Sequence, residues 1–182
     1  AAGYALEGDV HRQAKQLAAA EKAYRDGLKV EPASGATAVR LHNVLLAEGK
    51  KAEADALARS WVADHPKDLA FRNYLGEQAL RTGDHKAAAA QYQAIVDQQP
   101  DSALARNNLA WTLGKLGDPK ALGYAERAFK VAPESASVLD TLGVLLVAKG
   151  DTAKGLEHIA KAVQLAPDRH EIRLNYAKAL LK

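Results

Sequence analysis

The stretch from Arg72 to Pro100, RNYLGEQALRTGDHKAAAAQYQAIVDQQP, decides the fold of this chain. It carries Leu75-Gly76, then Gly83-Asp84, then Ala88, Tyr92 and Pro100. The same residue types recur on both sides of it at one period. Pro32, Pro66, Pro100, Pro133 and Pro167 follow one another at near-equal intervals, the third being shorter by one, and only Pro119 lies outside the series. Gly49, Gly83, Gly117 and Gly150 keep step, each standing half an interval ahead of a proline. A fixed period of this kind, roughly 34 here, marks a stacked repeat whose units bury their apolar faces on their neighbours.

Each period holds two helices. Nine residues after each proline stand Leu41, Leu75, Leu109, Leu142 and Tyr176; thirteen after stand Leu45, Ala79, Leu113, Leu146 and Leu180. The tenth slot is mostly small: His42, Gly76, Ala110, Gly143 and Ala177. These three slots share one face of a 3.6-residue helix, with a notch where a second helix can come close. Twelve before each proline come Ala20, Ala54, Ala88, Ala121 and Gly155, and four before come Leu28, Val62, Val96, Phe129 and Val163. Eight residues apart, they mark one face of the second helix. Between the helices Gly83-Asp84, Gly117-Asp118 and Gly150-Asp151 supply a positive-φ stop and an acceptor for the next helix's free N–H groups. Pro119 reads as a first-turn proline, so the missing residue of that repeat falls between Gly117 and Pro133.

This pattern resembles the tetratricopeptide repeat, W-x2-L-G-x2-Y…A-x3-F…P, over essentially the whole chain. The opening Trp slot departs from it, holding Ala38, Arg72, Arg106, Leu139 and Arg173. The resemblance implies an all-α fold, a right-handed α-solenoid of stacked antiparallel helix pairs. Repeats are expected at 35–68, 69–102, 103–135 (one residue short) and 136–169, with a half repeat at 170–182. The segment 1–34 reads as a partial repeat whose second helix is long, from about Val10 to Val30, because Gly8 precedes Pro32 by two helical turns more than the later glycines precede theirs. The chain begins at Ala1 and holds no Met, which reads as a segment of a longer or processed protein.

Composition narrows the chemistry. The 182 residues include 39 alanines and 24 leucines, suited to close-packed helices. With no Cys, disulfides, thiolate zinc sites and Cys nucleophiles are excluded. The longest stretch without Asp, Glu, Lys or Arg is Ala87–Val96, ten residues, too short to cross a bilayer. Net charge is +3 and the longest basic run is Lys50-Lys51, so no clustered phosphate-binding surface is expected and no nucleic acid. Gly3 and Gly8 have phosphate-loop spacing, but Asp9-Val10 stands where Lys and Ser or Thr are needed. His11, His42, His65, His85, His158 and His170 show no i, i+3 or i+4 pairing, so no metal or cofactor is expected. No nucleophile–base pattern stands out, and the chain reads as non-catalytic.

The resemblance also assigns a partner surface, the face of each first helix that lines a concave groove for peptides. Slots seven, eight and eleven after the prolines give Arg40, Asn43, Asn73, Tyr74, Glu77, Asn107, Asn108, Trp111, Asp140, Thr141 and Val144 as candidates, and the last helix adds Leu174, Asn175 and Lys178. Asn can both donate to and accept from an extended peptide backbone, while Tyr and Trp are the usual interface anchors. Trp61, near the end of a second helix, reads as core or convex surface. Chaperone-binding family members grip a carboxylate with Lys and Arg. Here Asn73, Glu77, Asn108, Ser137 and Thr141 occupy those slots.

Asn107-Asn108-Leu109-Ala110-Trp111, Leu139-Asp140-Thr141-Leu142-Gly143 and Leu165-Ala166-Pro167-Asp168 resemble bacterial repeat lipoproteins of the PEP-CTERM/exopolysaccharide type. That resemblance implies periplasm or cell envelope and an export role. The expected function is a protein–protein interaction scaffold. Self-association through the terminal helices into a homo-oligomer, with Leu180 and Leu181 uncovered, and a regulatory arm of a larger enzyme are the alternatives.

Overall fold

The computed structural model describes residues 2–182, and every regular element among them is an α-helix. The first four helices are α1 (Ala2–Gln13), α2 (Leu17–Val30), α3 (Gly35–Ala47) and α4 (Lys51–Asp64). They are followed by α5 (Leu69–Arg81), α6 (His85–Gln98), α7 (Ala103–Lys115) and α8 (Ala121–Val131). The last three are α9 (Ala136–Lys149), α10 (Thr152–Leu165) and α11 (His170–Leu180). The chain divides inside α5 into an N-terminal unit ending at Leu75 and a C-terminal unit from Gly76 to Lys182.

Each periodic proline stands two residues past a helix end, after Val30, Asp64, Gln98, Val131 and Leu165. The residue before a proline is pushed out of helical geometry, which stops the second helix of each pair there. Gly49, Gly83, Gly117 and Gly150 end first helices at φ of 74°, 75°, 69° and 98°, the left-handed conformation that closes a helix. Asp84 accepts the N–H of Ala87 at 2.9 Å and Asp118 that of Lys120 at 2.8 Å. Asp151, at the same place before α10, pairs with the Lys154 ammonium at 3.1 Å. Pro119 lies in the turn two residues before α8 rather than in its first turn, and α8 is only 11 residues long.

The notch residues set the packing of each pair. In the N-terminal unit, a Cβ on Gly8 would lie 2.3 Å from the Tyr24 ring. In the C-terminal unit, one on Gly76 would lie 2.8 Å from the Tyr92 ring. Gly143 and Gly155 face each other across α9 and α10; a Cβ on either would come within 2.7 Å of the other's carbonyl oxygen. Around these contacts the N-terminal unit buries Ala20, Tyr24, Leu41, Val44, Leu45 and Ala54. A second cluster there holds Ala38, Trp61 and Phe71, so Trp61 is core. The C-terminal unit buries Ala110, Ala125 and Leu142, and further on Leu139, Val147, Ile159, Ala162, Ile172 and Ala179. On α11, Leu180 and Leu181 are exposed and Tyr176 is half-buried against the last cluster.

The long helix expected from Val10 to Val30 is absent. Helices α1 and α2 form an ordinary pair separated by Ala14, Lys15 and Gln16, and Lys15 takes φ 59°. Gly8 is not a helix-ending glycine but a notch residue, one full period ahead of His42. Lys15, one period ahead of Gly49, fills the slot that glycine occupies in later repeats.

Two substitutions separate these roles. Gly143→Ala should lower the stability of the chain by about 1–3 kcal/mol, because the clash with Gly155 and Ile159 outweighs alanine's helix preference. Lys15→Gly should raise it by about 0.5–1 kcal/mol by relieving a left-handed non-glycine residue. Urea unfolding followed by circular dichroism reads both, and a shift of the same sign in the two variants would contradict the assignment.

Candidate partner-binding site

The period of the repeat brings one helical slot of successive first helices together in the C-terminal unit. Asn107, Asp140 and Leu174 occupy the seventh position after their prolines, and Asn108, Thr141 and Asn175 the eighth. These six residues line one cavity of about 470 Å³, whose wall also includes Trp111, Leu104, Lys115, Arg169 and Glu171. A smaller cavity of about 120 Å³, lined by Trp111, Asp140, Thr141 and Asn175 again, also takes in Gly114, Val144 and Leu145. Glu77 lies outside both, exposed on α5; burial first, and the Glu77 charge second, push Tyr92 up to about 12.

The wall is polar and incompletely paired. Asn107 is buried to 7% exposure, yet its Oδ1 accepts no hydrogen bond among the described residues. Asp140 accepts from Asn175 Nδ2 at 2.9 Å through Oδ2, while its Oδ1 is buried and unpaired among the described residues. Burial raises the Asp140 carboxyl above its ordinary value, against the lowering pull of Asn175 and Arg169. The Arg169 guanidinium donates to Ser137 Oγ at 2.5 Å and pairs with Glu171 at 3.3 Å. Trp111 is 36% exposed, meets the His85 ring edge-on at 6.0 Å and carries the Lys115 ammonium 5.0 Å from its ring centroid. Thr141 is buried, and Asn108 and Asp140 are half-buried.

The other candidates belong to the N-terminal unit. Arg40 and Asn43 line a cleft of about 500 Å³ with Asp9, Arg12, Val44 and Ala47. Asp9 accepts the Tyr24 hydroxyl at 2.7 Å and the Arg40 Nε at 3.1 Å. Burial pushes the Asp9 carboxyl up, but those two partners outweigh it and hold the group below its ordinary value. Tyr74 donates its hydroxyl to Asn43 Oδ1 at 3.0 Å and takes a hydrogen bond from His42 Nδ1 at 2.7 Å. His42 is thus held as its Nδ1–H tautomer, and burial lowers its pKa, opposed by Asp55 and aided by Lys51. Tyr74 therefore works inside the packing of its unit, against Phe71 and His42. Asn73 is half-buried on the same helix.

Leu80, Leu104, Lys115, Arg169 and Glu171 line the cavity from outside the slots expected from the sequence. Arg169 left a signal: two residues after each proline the chain has Ser34, Asp68, Ser102 and Ser135, and then Arg169. A cation at a helix N-cap neither accepts the free N–H groups nor suits the dipole, so its presence points to a role elsewhere. Here that role is to bridge Ser137 and Glu171 at the cavity rim.

Comparison with known proteins agrees with this architecture. The sequence profile of the Tetratricopeptide repeat family matches residues 39–103 and 75–121. A TPR repeat-containing protein of Pseudomonas aeruginosa is 26% identical over 136 residues, 66% of this chain and 22% of the relative. Protein FlbA of Caulobacter vibrioides is 28% identical over 173 residues, 93% of this chain and 29% of the relative. The chain therefore spans less than a third of the length of either relative. Among solved structures, YrrB, a TPR protein with an unusual peptide-binding site, matches with a TM-score of 0.69 at 20% identity, covering 96% of this chain and 90% of that one.

The Asp140 carboxylate, with one of its oxygens buried and unpaired among the described residues, should carry a stability cost that depends on pH. Because folding raises the Asp140 pKa, the folded state holds its proton more tightly. The penalty is absent below the ordinary carboxylate range and grows as pH rises through the folded-state value. Asp140→Asn should raise the thermal midpoint at pH 7 by roughly 1–3 °C, allowing for solvent screening of a half-buried group. The gap between variant and parent should close toward pH 4, near the ordinary carboxylate value; a gap that widens there would contradict the sign.

Proposed function

We propose that the chain, whose residues 39–121 match the tetratricopeptide repeat, is a non-catalytic scaffold whose C-terminal unit holds a peptide or protein segment in the cavity beside Trp111. One observation carries this reading: matching slots of α7, α9 and α11 line a single cavity whose wall contains buried polar atoms without partners among the described residues. Such atoms cost free energy in the free protein, and a bound segment that supplies their hydrogen bonds recovers it. Trp111 adds a rigid, half-open aromatic surface of the kind that anchors interfaces. The helices hold these groups in place before binding, so little ordering entropy opposes capture. The peptide-binding site of the structurally similar YrrB supports the same reading.

In this account Asn107, Asn108, Trp111, Asp140, Thr141 and Val144 contact the segment directly. Arg40 and Asn43 offer a second contact surface in the N-terminal unit, with Tyr74 holding Asn43 in position, and Asn73 and Glu77 are further polar contacts on α5. The repeats at 35–68, 69–102, 103–135 and 136–169 are the units of the scaffold. Service in a bacterial envelope or export assembly is the setting that the Asn107–Trp111 and Leu139–Gly143 motifs favour.

Panning a displayed library of random peptides on the immobilised chain tests the reading. Peptides enriched by the parent chain should bind Trp111→Ala/Asn108→Ala about 10–30-fold more weakly by fluorescence polarisation, the loss expected for an interface anchor. Far-UV circular dichroism should be unchanged. Equal affinity at equal helicity would contradict a site at this cavity.

A further inference from the structure

Four features of the C-terminal cavity bear on the chemistry of its occupant. Its two orphaned buried atoms, Asn107 Oδ1 and Asp140 Oδ1, are both acceptors, so they call for donors. Its two cations are already engaged: Arg169 with Ser137 and Glu171, and Lys115 on the face of Trp111. Neither forms an ion pair with Asp140 among the described residues. The rim, finally, presents Leu104, Leu174 and Trp111, three of the large apolar side chains that the chain leaves exposed.

Resting on the reading of this cavity as a partner site, we infer that the segment it takes carries a lysine or arginine, seated against Asp140 and Asn107 and flanked by apolar side chains that cover Leu104, Trp111 and Leu174. A backbone N–H would supply one donor to one acceptor. An ammonium brings three donors and a guanidinium five, and either places a positive charge in direct contact with the Asp140 carboxylate, which Arg169 acts on only from outside ion-pair distance. A carboxylate side chain in the same place would meet Asp140 and Glu171 as like charges. The apolar neighbours remove rim surface from water at the same time, which favours association without adding to the polar demand.

The displayed-peptide experiment also decides this point. Peptides enriched by the parent chain should share one Lys or Arg between apolar residues. Synthetic versions in which norleucine replaces the basic residue should bind at least about tenfold more weakly, the loss of a charge-assisted contact. Asp140→Asn, which keeps the shape of the side chain, should remove most of that difference, and Asp140→Lys should shift enrichment toward Asp and Glu. Enriched peptides without a basic residue, or equal affinity of the lysine and norleucine versions, would overturn the inference. If such peptides still depend on Trp111, only the basic-segment inference falls. If nothing is enriched at all, the partner-site reading falls with it.

Discussion

The close approach of two helices at a residue with little or no side chain is the constraint on which the rest of this structure depends. In the C-terminal unit Gly143 and Gly155 bring α9 and α10 near enough that a single methyl group on either would strike the other's carbonyl oxygen. Gly76 makes room for the Tyr92 ring in the same unit, and Gly8 for Tyr24 in the N-terminal unit. Alanine elsewhere in these slots keeps helix axes close at small entropic cost. The abundance of alanine thus follows from packing: Ala20, Ala54, Ala88 and Ala121 are all buried.

Packing of this kind also generates the site. A stack of near-identical units presents the same helical slot again at each step, so side chains distant in sequence line one wall. That is how Asn107, Asp140 and Leu174 come to share a cavity. The wall is held by the fold and is not optimised for the free protein: two buried acceptors lack donors among the described residues, and a carboxylate is held above its ordinary pKa. Local cost of this sort inside a rigid frame is what a binding surface shows when its partner supplies the missing contacts.

Much of this can be read from residue spacing. The prolines and glycines carry the period because each has a backbone role that few other residues can fill, and all five periodic prolines fall just beyond helix ends. The first pair escapes the pattern because its two markers are unusual. Lys15 adopts the left-handed conformation that glycine adopts in later repeats, and Gly8 serves as a notch. A lysine does not announce a positive φ, so in sequence α1 and α2 run together as one long helix. At the site, the slots of Asn107, Asn108, Trp111, Asp140 and Thr141 are legible from helical phase. That Tyr74 is tied to His42 and Asn43 is not, because side-chain pairing between repeats depends on distances that a one-dimensional pattern does not hold. Arg169 escapes for a related reason: its position is visible as an odd N-cap, but its partners Ser137 and Glu171 are not.

If the cavity lined by α7, α9 and α11 is where the partner sits, binding must register on the side chains of its wall. Heteronuclear NMR on the labelled chain, titrated with a peptide it has enriched, tests this most directly, because the two tryptophan indole N–H groups report separately. Trp61, buried in the N-terminal unit with its indole N–H donated to Asp68 at 2.9 Å, serves as the internal reference. The account predicts that the Trp111 indole and the side-chain amides of Asn107 and Asn175 shift together on saturation while Trp61 stays in place. Saturable binding that leaves all three of those groups unmoved would contradict it.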